Sequence, residues 1–536
     1  MMQDISSWTL TGLLQRQAEA HGEREFMSFE HGTSLSFASL HRDSDQLARN
    51  LASLGVAPGD RVMVMLKNRI EFMLAMFATM KVGAIFVPIN TELKGAFLTH
   101  QMSNTEPRLL FLDHDLRDAF DAVKAGNESL ATIIYVAGHV PKERPAVLAK
   151  AEAMTFENLS GLDGAKDDVL VTRKPQDIAC IMYTSGTTGP SKGVLMPHAH
   201  CYLFGYGMAR SMAMTKDDCQ YVCMPLFHAM GLFLQVVSSL ISGSKVFCIE
   251  RFSPARWLDD VRACGATVTN ALGVIPEFIF RTPETEYDRD HKMRTVMAVP
   301  IAAEWGDAME KRFGFKFIQA YGMTEVNLPC YTNEDDPLSP GMAGHVLDDF
   351  FEVAIFNSET DAPLPQGEIG EIVVRPKVQF CFSQGYYRMP EETAEVFTDL
   401  GVGADACGSA GTRRFFRTGD IGRIDEDEFL YITGRKKEMI IVGGENVFPR
   451  EIEEVLDQHD AVAASAVIGR PDNVRGEVPI AFVEVIEGGT FDAGALRNWC
   501  RDQLAGYKVP REIRLMDHLP RNSTGKILRR ELKAGG

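Results

Sequence analysis

The chain has 536 residues, 45% hydrophobic and 24% charged, an ordinary balance for a folded globular protein. At about 150 residues per domain it holds three or four modules. The net charge of −18 argues against nucleic acid or an anionic membrane as a main partner, so any anionic substrate must be drawn in by local positive charge.

Taken in order, residues 8–21 have amphipathic helix spacing, with Leu10, Leu13, Leu14 and Ala18 on one face. Arg61 to Leu66 reads as a buried strand, Arg69 to Lys81 as a helix and Gly83 to Pro88 as the next strand. Asp177 to Met182 is a further strand, and alternation continues through strands at Tyr221 to Met224, Lys245 to Ile249, Thr267 to Ala271 and Phe315 to Ala320. Strands alternating with helices predict α/β architecture with mainly parallel sheets. From about residue 340 the texture changes to short strands, at Phe351 to Phe356, Gly370 to Arg375 and Phe429 to Ile432, which predict a β-rich subdomain over about 340–434. The Gly- and Ala-rich stretch 400–412 reads as a mobile surface loop. Gly434-Arg-Lys-Lys-Glu438 marks a boundary, giving a large N-terminal domain at 1–434 and a small α+β domain at 435–536. In the latter, Met439 to Val442 is a strand and Gly443-Gly444 a turn. Pro449 opens a helix with Ile452, Val455 and Leu456 inward, and short strands, a helix near 495–504 and a basic tail follow.

The ten cysteines show no C-x-x-C pair, and no second ligand pair lies near Cys219 and Cys223; they read as reduced thiols of a cytoplasmic protein. The N-terminus lacks a secretory pattern, and the longest mainly apolar run, Phe72 to Met80, is too short to span a bilayer, so no integral membrane segment is expected.

The most informative stretch is Tyr183-Thr-Ser-Gly-Thr-Thr-Gly-Pro-Ser-Lys-Gly193. Glycines let backbone N–H groups approach phosphate oxygens, hydroxyls add donors and Lys192 adds a mobile positive charge. A Walker A loop leads from its lysine into a helix. Here Lys192 leads into Gly193-Val-Leu-Met196, which looks like a second strand. Thr184, Ser185, Gly186, Thr187, Thr188, Gly189 and Lys192 therefore read as a phosphate-gripping hairpin loop; taken alone, the same residues also suit a flexible surface turn.

Four further segments stand in a fixed order behind it. Tyr321-Gly-Met-Thr-Glu325 puts an aromatic ring, the Thr324 hydroxyl and the Glu325 carboxylate at the end of a strand, where open α/β sheets bind ligands. Glu325 suits Mg²⁺, which takes oxygen ligands and substrate phosphates. Thr418-Gly-Asp420 places a carboxylate on a tight turn, fit to accept from two ribose hydroxyls; Arg435 and Lys437 lie at the domain boundary. Asn522-Ser-Thr-Gly-Lys526 is a polar turn with one lysine before the last helix.

Together these segments resemble the adenylate-forming superfamily of acyl-CoA synthetases, peptide-synthetase adenylation domains and luciferases, over essentially the whole chain. The resemblance implies an ATP-dependent ligase that joins a small carboxylic acid to AMP with loss of pyrophosphate, then to coenzyme A, with Mg²⁺ as the metal. It implies a hinge and a C-terminal domain that rotates between the two half-reactions. It places residues 184–192 on the β- and γ-phosphates, Tyr321 beside adenine, Thr324 on the α-phosphate and Glu325 on Mg²⁺. It gives Asp420 and Arg435 to the ribose, makes Lys437 the hinge and puts Lys526 between the carboxylate and the α-phosphate. Gly443 and Gly444 would enter the site for thioester formation, His228 would gate the acyl pocket and thiol tunnel, and a homodimer is common among such ligases.

Peptide-synthetase domains carry an aspartate near Phe227-His228, whereas Pro225-Leu-Phe-His-Ala-Met-Gly-Leu-Phe233 has no carboxylate. An α-amino acid substrate is therefore not expected. No carrier domain is expected to follow, since the chain ends about ten residues after Lys526. The family's Gly-rich adenine stretch is replaced by Val296-Met-Ala-Val-Pro-Ile-Ala-Ala303, a loss of glycines similar to that in carnitine/crotonobetaine-CoA ligases. The alternatives are a carnitine/crotonobetaine-type CoA ligase specifically, an acyl-AMP ligase with another acceptor, and a silent nucleotide-binding relative.

Overall fold

A computed structural model describes residues 4–123, 128–165, 167–184, 190–272, 275–299, 301, 305–339, 341–398, 414–443, 445–472, 474–486, 488–521 and 527–534. Two seven-stranded sheets form its first part. One orders its strands 152–155, 132–136, 109–113, 61–65, 85–88, 178–184 and 192–197; all pairs are parallel except the last. The other runs 316–318, 295–299, 268–272, 219–222, 245–248, 25–29 and 34–36, again parallel except for its last pair.

Parallel sheets need cover on both faces. In Arg61–Met65, Val62 and Val64 enter one core while Met63 and Met65 enter another. The larger core takes in residues from both sheets and from the helices Leu10–His21, Phe37–Ser53, Ile70–Lys81 and His198–Ser211. Ile70–Lys81 is buried around most of its circumference, as expected of a helix that is apolar nearly all round. Leu10, Leu13, Leu14 and Ala18 are the buried face of the first helix, as their spacing predicts.

The predicted strand Phe315 to Ala320 divides in two. Lys316–Ile318 closes a parallel sheet, and Ala320–Met323 starts an antiparallel one of eight strands. The chain changes sheets at Gln319, whose backbone exchanges hydrogen bonds with Thr332: its N–H donates to Thr332 Oγ1 at 2.8 Å, and its carbonyl accepts from Thr332 N–H at 2.8 Å. The antiparallel sheet continues through Phe351–Phe356, Gly370–Pro376, Phe415–Ile424 and Leu430–Arg435.

A separate five-stranded sheet holds the remainder. Its centre is a long hairpin, Val462–Asp472 against Gly476–Val485, where the sequence suggests only short strands. Pro449–Asp457 turns Ile452 and Leu456 inward, and Ala493–Gln503 lies near the predicted helix. No described helix is long and apolar enough to cross a membrane. The nine described cysteines are unpaired, and all but Cys264 are buried. Residues 400–412, read as a surface loop, lie outside the described residues.

Candidate active site

The phosphate-loop candidate joins Ile178–Thr184 to Lys192–Pro197, which pair antiparallel with Thr184 opposite Lys192. The predicted hairpin is therefore present, and it sits at the carboxyl end of the parallel strands. Ser185, Gly186, Thr187, Thr188 and Gly189 lie outside the described residues. Both ends of the loop are tied to the helix Gly95–Thr105. Tyr183 Oη donates to Asn104 Oδ1 at 2.7 Å and lies 2.8 Å from Thr105 Oγ1. Gln101 Nε2 donates to Ser191 Oγ at 3.1 Å, and His100 Nε2 lies 2.8 Å from the Ser191 carbonyl.

The far side of the hairpin pairs with a segment almost two hundred residues later. Tyr387 N–H donates to the Gly193 carbonyl at 2.7 Å and Gln384 N–H to that of Leu195 at 2.9 Å. This pairing brings Tyr386 to Lys192, whose ammonium lies 4.8 Å from the ring centroid. The same Tyr386 donates its hydroxyl to Glu325 Oε1 at 3.1 Å. One side chain thus links the lysine of the candidate loop to the carboxylate of the later motif. Sequence reasoning missed Tyr386: its only signal is the aromatic doublet Tyr386-Tyr387, in a stretch without strand patterning.

Thr324 and Glu325 sit at the tip of the hairpin formed by Ala320–Met323 and Asn327–Tyr331. Glu325 is buried, and this burial pushes its carboxyl above the usual carboxylate range. Mg²⁺ is normally held by one or two carboxylates plus substrate phosphates. The buried Glu325 carboxylate, with the Lys192 charge near enough to act on it, fits that pattern, and no cluster of three ligating side chains exists among the described residues.

Asp420, Arg435 and Tyr321 come together. Asp420 does not sit on a tight turn as expected; it lies within the ten-residue strand Phe415–Ile424, with Gly419 at φ +70° just before it. The reason is cross-strand pairing: Asp420 is opposite Arg435. Arg435 Nε meets Asp420 Oδ1 at 2.6 Å, and Tyr321 Oη donates to Asp420 Oδ2 at 2.7 Å. When ionised, a carboxylate only accepts hydrogen bonds, which suits this group to a hydroxyl-bearing ligand.

His228 is half-buried, and its Nδ1 accepts from Met230 N–H at 3.2 Å. The surrounding protein pushes its imidazole down to about 4, so the ring is neutral at pH 7. A π-helical stretch, Met230–Val237, follows; such wide turns frequently mark functional sites. Gly231 is required by close approach, since a Cβ there would meet the Pro225 carbonyl oxygen at 2.4 Å. Gly231→Ala is expected to lower stability by about 1–3 kcal/mol through overpacking, read as a fall in thermal midpoint.

Gly443 occupies the left-handed region at φ +62°, in the turn between Ile440–Val442 and Glu445–Val447, and its N–H donates to the Arg475 carbonyl at 2.7 Å. Lys437 lies in the short helical turn Lys436–Glu438 just after Arg435. Gly444 and Lys526 lie outside the described residues. The flanks of Lys526 are anchored: Arg521 pairs with Ile527, and Arg529 Nη2 reaches both Glu453 oxygens at 2.7 Å. Arg530 stacks over the Phe97 ring at 5.3 Å, on the same helix that holds Tyr183 and Ser191.

Residues 14–387 match the family model of the AMP-binding enzyme, and residues 451–526 match that of the AMP-binding enzyme C-terminal domain. The chain belongs to the AMP-binding enzyme family. Among curated relatives of this AMP-binding enzyme, the sulfoacetate–CoA ligase of Cupriavidus necator is 31% identical, over 98% of this chain and 97% of the relative. The crotonobetaine/carnitine–CoA ligase of Salmonella paratyphi A is 30% identical, over 96% and 97%. Among solved structures, ATP-bound MatB from Rhodopseudomonas palustris superposes with a TM-score of 0.84 at 27% identity, with 98% of each chain covered. The o-succinylbenzoate CoA synthetase of Bacillus subtilis, in complex with its acyl-adenylate intermediate, gives 0.78 at 26% over 98% of each chain. This AMP-binding enzyme is an acid–thiol ligase of the adenylate-forming acyl-CoA synthetase group.

Proposed function

We propose that this AMP-binding enzyme activates a compact carboxylic acid as its acyl-AMP, releasing pyrophosphate, and then transfers the acyl group to coenzyme A. The observation that carries this reading is the convergence of Lys192, Tyr386 and Glu325 at the hairpin beside the Asp420–Arg435–Tyr321 cluster. Residues 184–192 take the β- and γ-phosphates. Thr324 bonds the α-phosphate, Asp420 and Arg435 hold the ribose, and Tyr321 lies beside adenine. Glu325 is the protein ligand for Mg²⁺, which when bound neutralises phosphate charge. Tyr386 keeps the Glu325 carboxylate in place while its ring holds Lys192 toward the same phosphates.

A carboxylate attacking a phosphate must overcome repulsion between anions, so cationic groups have to converge on the α-phosphate. Lys526 supplies that charge during adenylation. The units 1–434 and 435–536 then rotate about Lys437, which withdraws Lys526 and brings Gly443 and Gly444 to the site. Glycine at 443 suits an approaching thiol arm, since the position has a left-handed φ and nothing within 4 Å of where a Cβ would lie. His228, neutral at pH 7, gates the acyl pocket without adding charge. The unpaired cysteines suit a reducing cytoplasm.

The test is acid-dependent exchange of labelled pyrophosphate into ATP. The wild type should exchange with at least one acid, and no exchange with any acid would contradict the reading. Tyr386→Phe keeps the ring on Lys192 but removes the hydroxyl from Glu325. It should lower exchange by roughly tenfold, the scale of one hydrogen bond to a charged group, about 1.5 kcal/mol.

A further inference from the structure

The hairpin tip that carries Thr324 and Glu325 is held from beneath by two buried polar side chains outside the sequence motifs. His200 lies in His198–Ser211, the helix that follows the phosphate-loop hairpin directly. It is fully buried, and its Nε2 lies 2.9 Å from the Thr324 carbonyl oxygen. Asn327, also fully buried, closes the other side of the tip. Its Nδ2 donates to the His200 carbonyl at 2.8 Å and points at His200 Nδ1 at 3.1 Å. Its Oδ1 accepts from Leu328 N–H at 2.9 Å.

These contacts select one tautomer. An amide nitrogen only donates, so His200 Nδ1 must accept from Asn327. The ring hydrogen then sits on Nε2 and donates to Thr324. The Cys381 carbonyl, 3.3 Å from Nδ1, is the longer contact and loses this competition. Asn327 is also a non-glycine residue at φ +72°, and a Cβ at Gly322 would meet its carbonyl oxygen at 2.4 Å. Backbone in such a region persists where its surroundings over-determine it, and it clusters at functional sites.

Resting on the function proposed above, we propose that His200 and Asn327 are positioning residues for adenylation. Through the Asn327–His200–Thr324 chain they set the height of the hairpin tip, and so the place at which Thr324 meets the α-phosphate and Glu325 meets its cation. The chain also couples the phosphate-loop hairpin to that tip, because the helix bearing His200 begins where the hairpin ends.

The experiment compares wild type, His200→Ala, His200→Gln and His200→Met in two measurements. One is acid-dependent pyrophosphate exchange, resolved into kcat and KM for the acid. The other is calorimetric ATP binding with and without Mg²⁺, which needs no turnover. Glutamine presents an Nε2 donor that reaches the Thr324 carbonyl, whereas methionine fills the space without a donor. The expected result is a loss of about tenfold in kcat for Ala and Met with little change in acid KM, the scale of a displaced group that acts in the transition state. Most of the Mg²⁺-dependent gain in ATP affinity should be lost with it, and Gln should restore both measures to within about threefold of wild type. If Ala does not fold, Gln against Met carries the same comparison. Equal behaviour of Gln and Met, or an unchanged Mg²⁺-dependent gain in Met, overturns the positioning role while wild-type exchange still supports the proposed function. Absence of wild-type exchange overturns both.

Discussion

Replacing Lys526 by alanine is expected to lower acyl-adenylate formation by at least about 10²-fold, the scale of losing one preorganised charge-stabilising group. Thioester formation from supplied acyl-AMP should continue near the wild-type rate. The division follows from the chemistry. Only the first half-reaction brings a carboxylate onto a phosphate against anionic repulsion. In the second, a thiol attacks an already activated carbonyl and AMP leaves. The flanks of Lys526 are built for placement, with Arg529 held by Glu453 and Arg530 stacked on Phe97. Those contacts belong to Arg529 and Arg530, which the substitution leaves unchanged, so folding should be preserved. The check is single-turnover measurement of each half-reaction; equal loss in both would contradict the assignment.

If Glu325 is the Mg²⁺ ligand as proposed, Glu325→Gln should cost about 10²–10³ in adenylation, because glutamine keeps the shape but removes the negative charge. Its effect on stability should run the other way. The Glu325 carboxyl is buried and its folded-state value lies above the ordinary one. A group raised in this way favours the folded state when protonated and costs stability once pH rises through its folded value. Glutamine removes that cost, so the variant should be at least as stable as wild type at pH 7. The advantage should vanish toward pH 4, where the glutamic acid is itself neutral. Thermal melts of the ligand-free protein at the two pH values check the sign, and a midpoint at pH 7 well below that of wild type would contradict it.

The parts of this fold that were legible in the sequence are those set by local pattern. The first amphipathic helix, the buried helix to Lys81 and the hairpin around the Gly-rich loop follow from periodicity and from strand–loop–strand composition. Other parts depend on pairing that no local pattern announces. Phe315 to Ala320 reads as one apolar run, but Gln319 spends its backbone groups on Thr332 and hands the chain to another sheet. Asp420 reads as a turn residue because it follows glycine; its pairing opposite Arg435 makes it a strand residue. The hairpin at 462–485 reads only as short strands; its length comes from ten cross-strand partners in register, Gly469, Pro471 and Pro479 among the paired residues.

The site divides in the same way. Lys192, Glu325, Asp420 and Arg435 announce themselves as polar groups next to glycines or strand ends. Tyr386 and His200 do not, since each works by touching something more than a hundred residues away, Lys192 for the tyrosine and Thr324 for the histidine. Their roles follow from the edge pairing of 384–387 with the phosphate-loop hairpin and from the seating of a helix beneath the Thr324 tip.

The most direct measurement of the central claim is pyrophosphate release with Mg-ATP across short, medium, aromatic and quaternary-ammonium carboxylic acids, each with and without coenzyme A. The account predicts that one compact acid supports sustained release only when coenzyme A is present, with acyl-CoA and AMP formed in equal amounts. Release that is sustained without coenzyme A and unchanged by it would contradict the account.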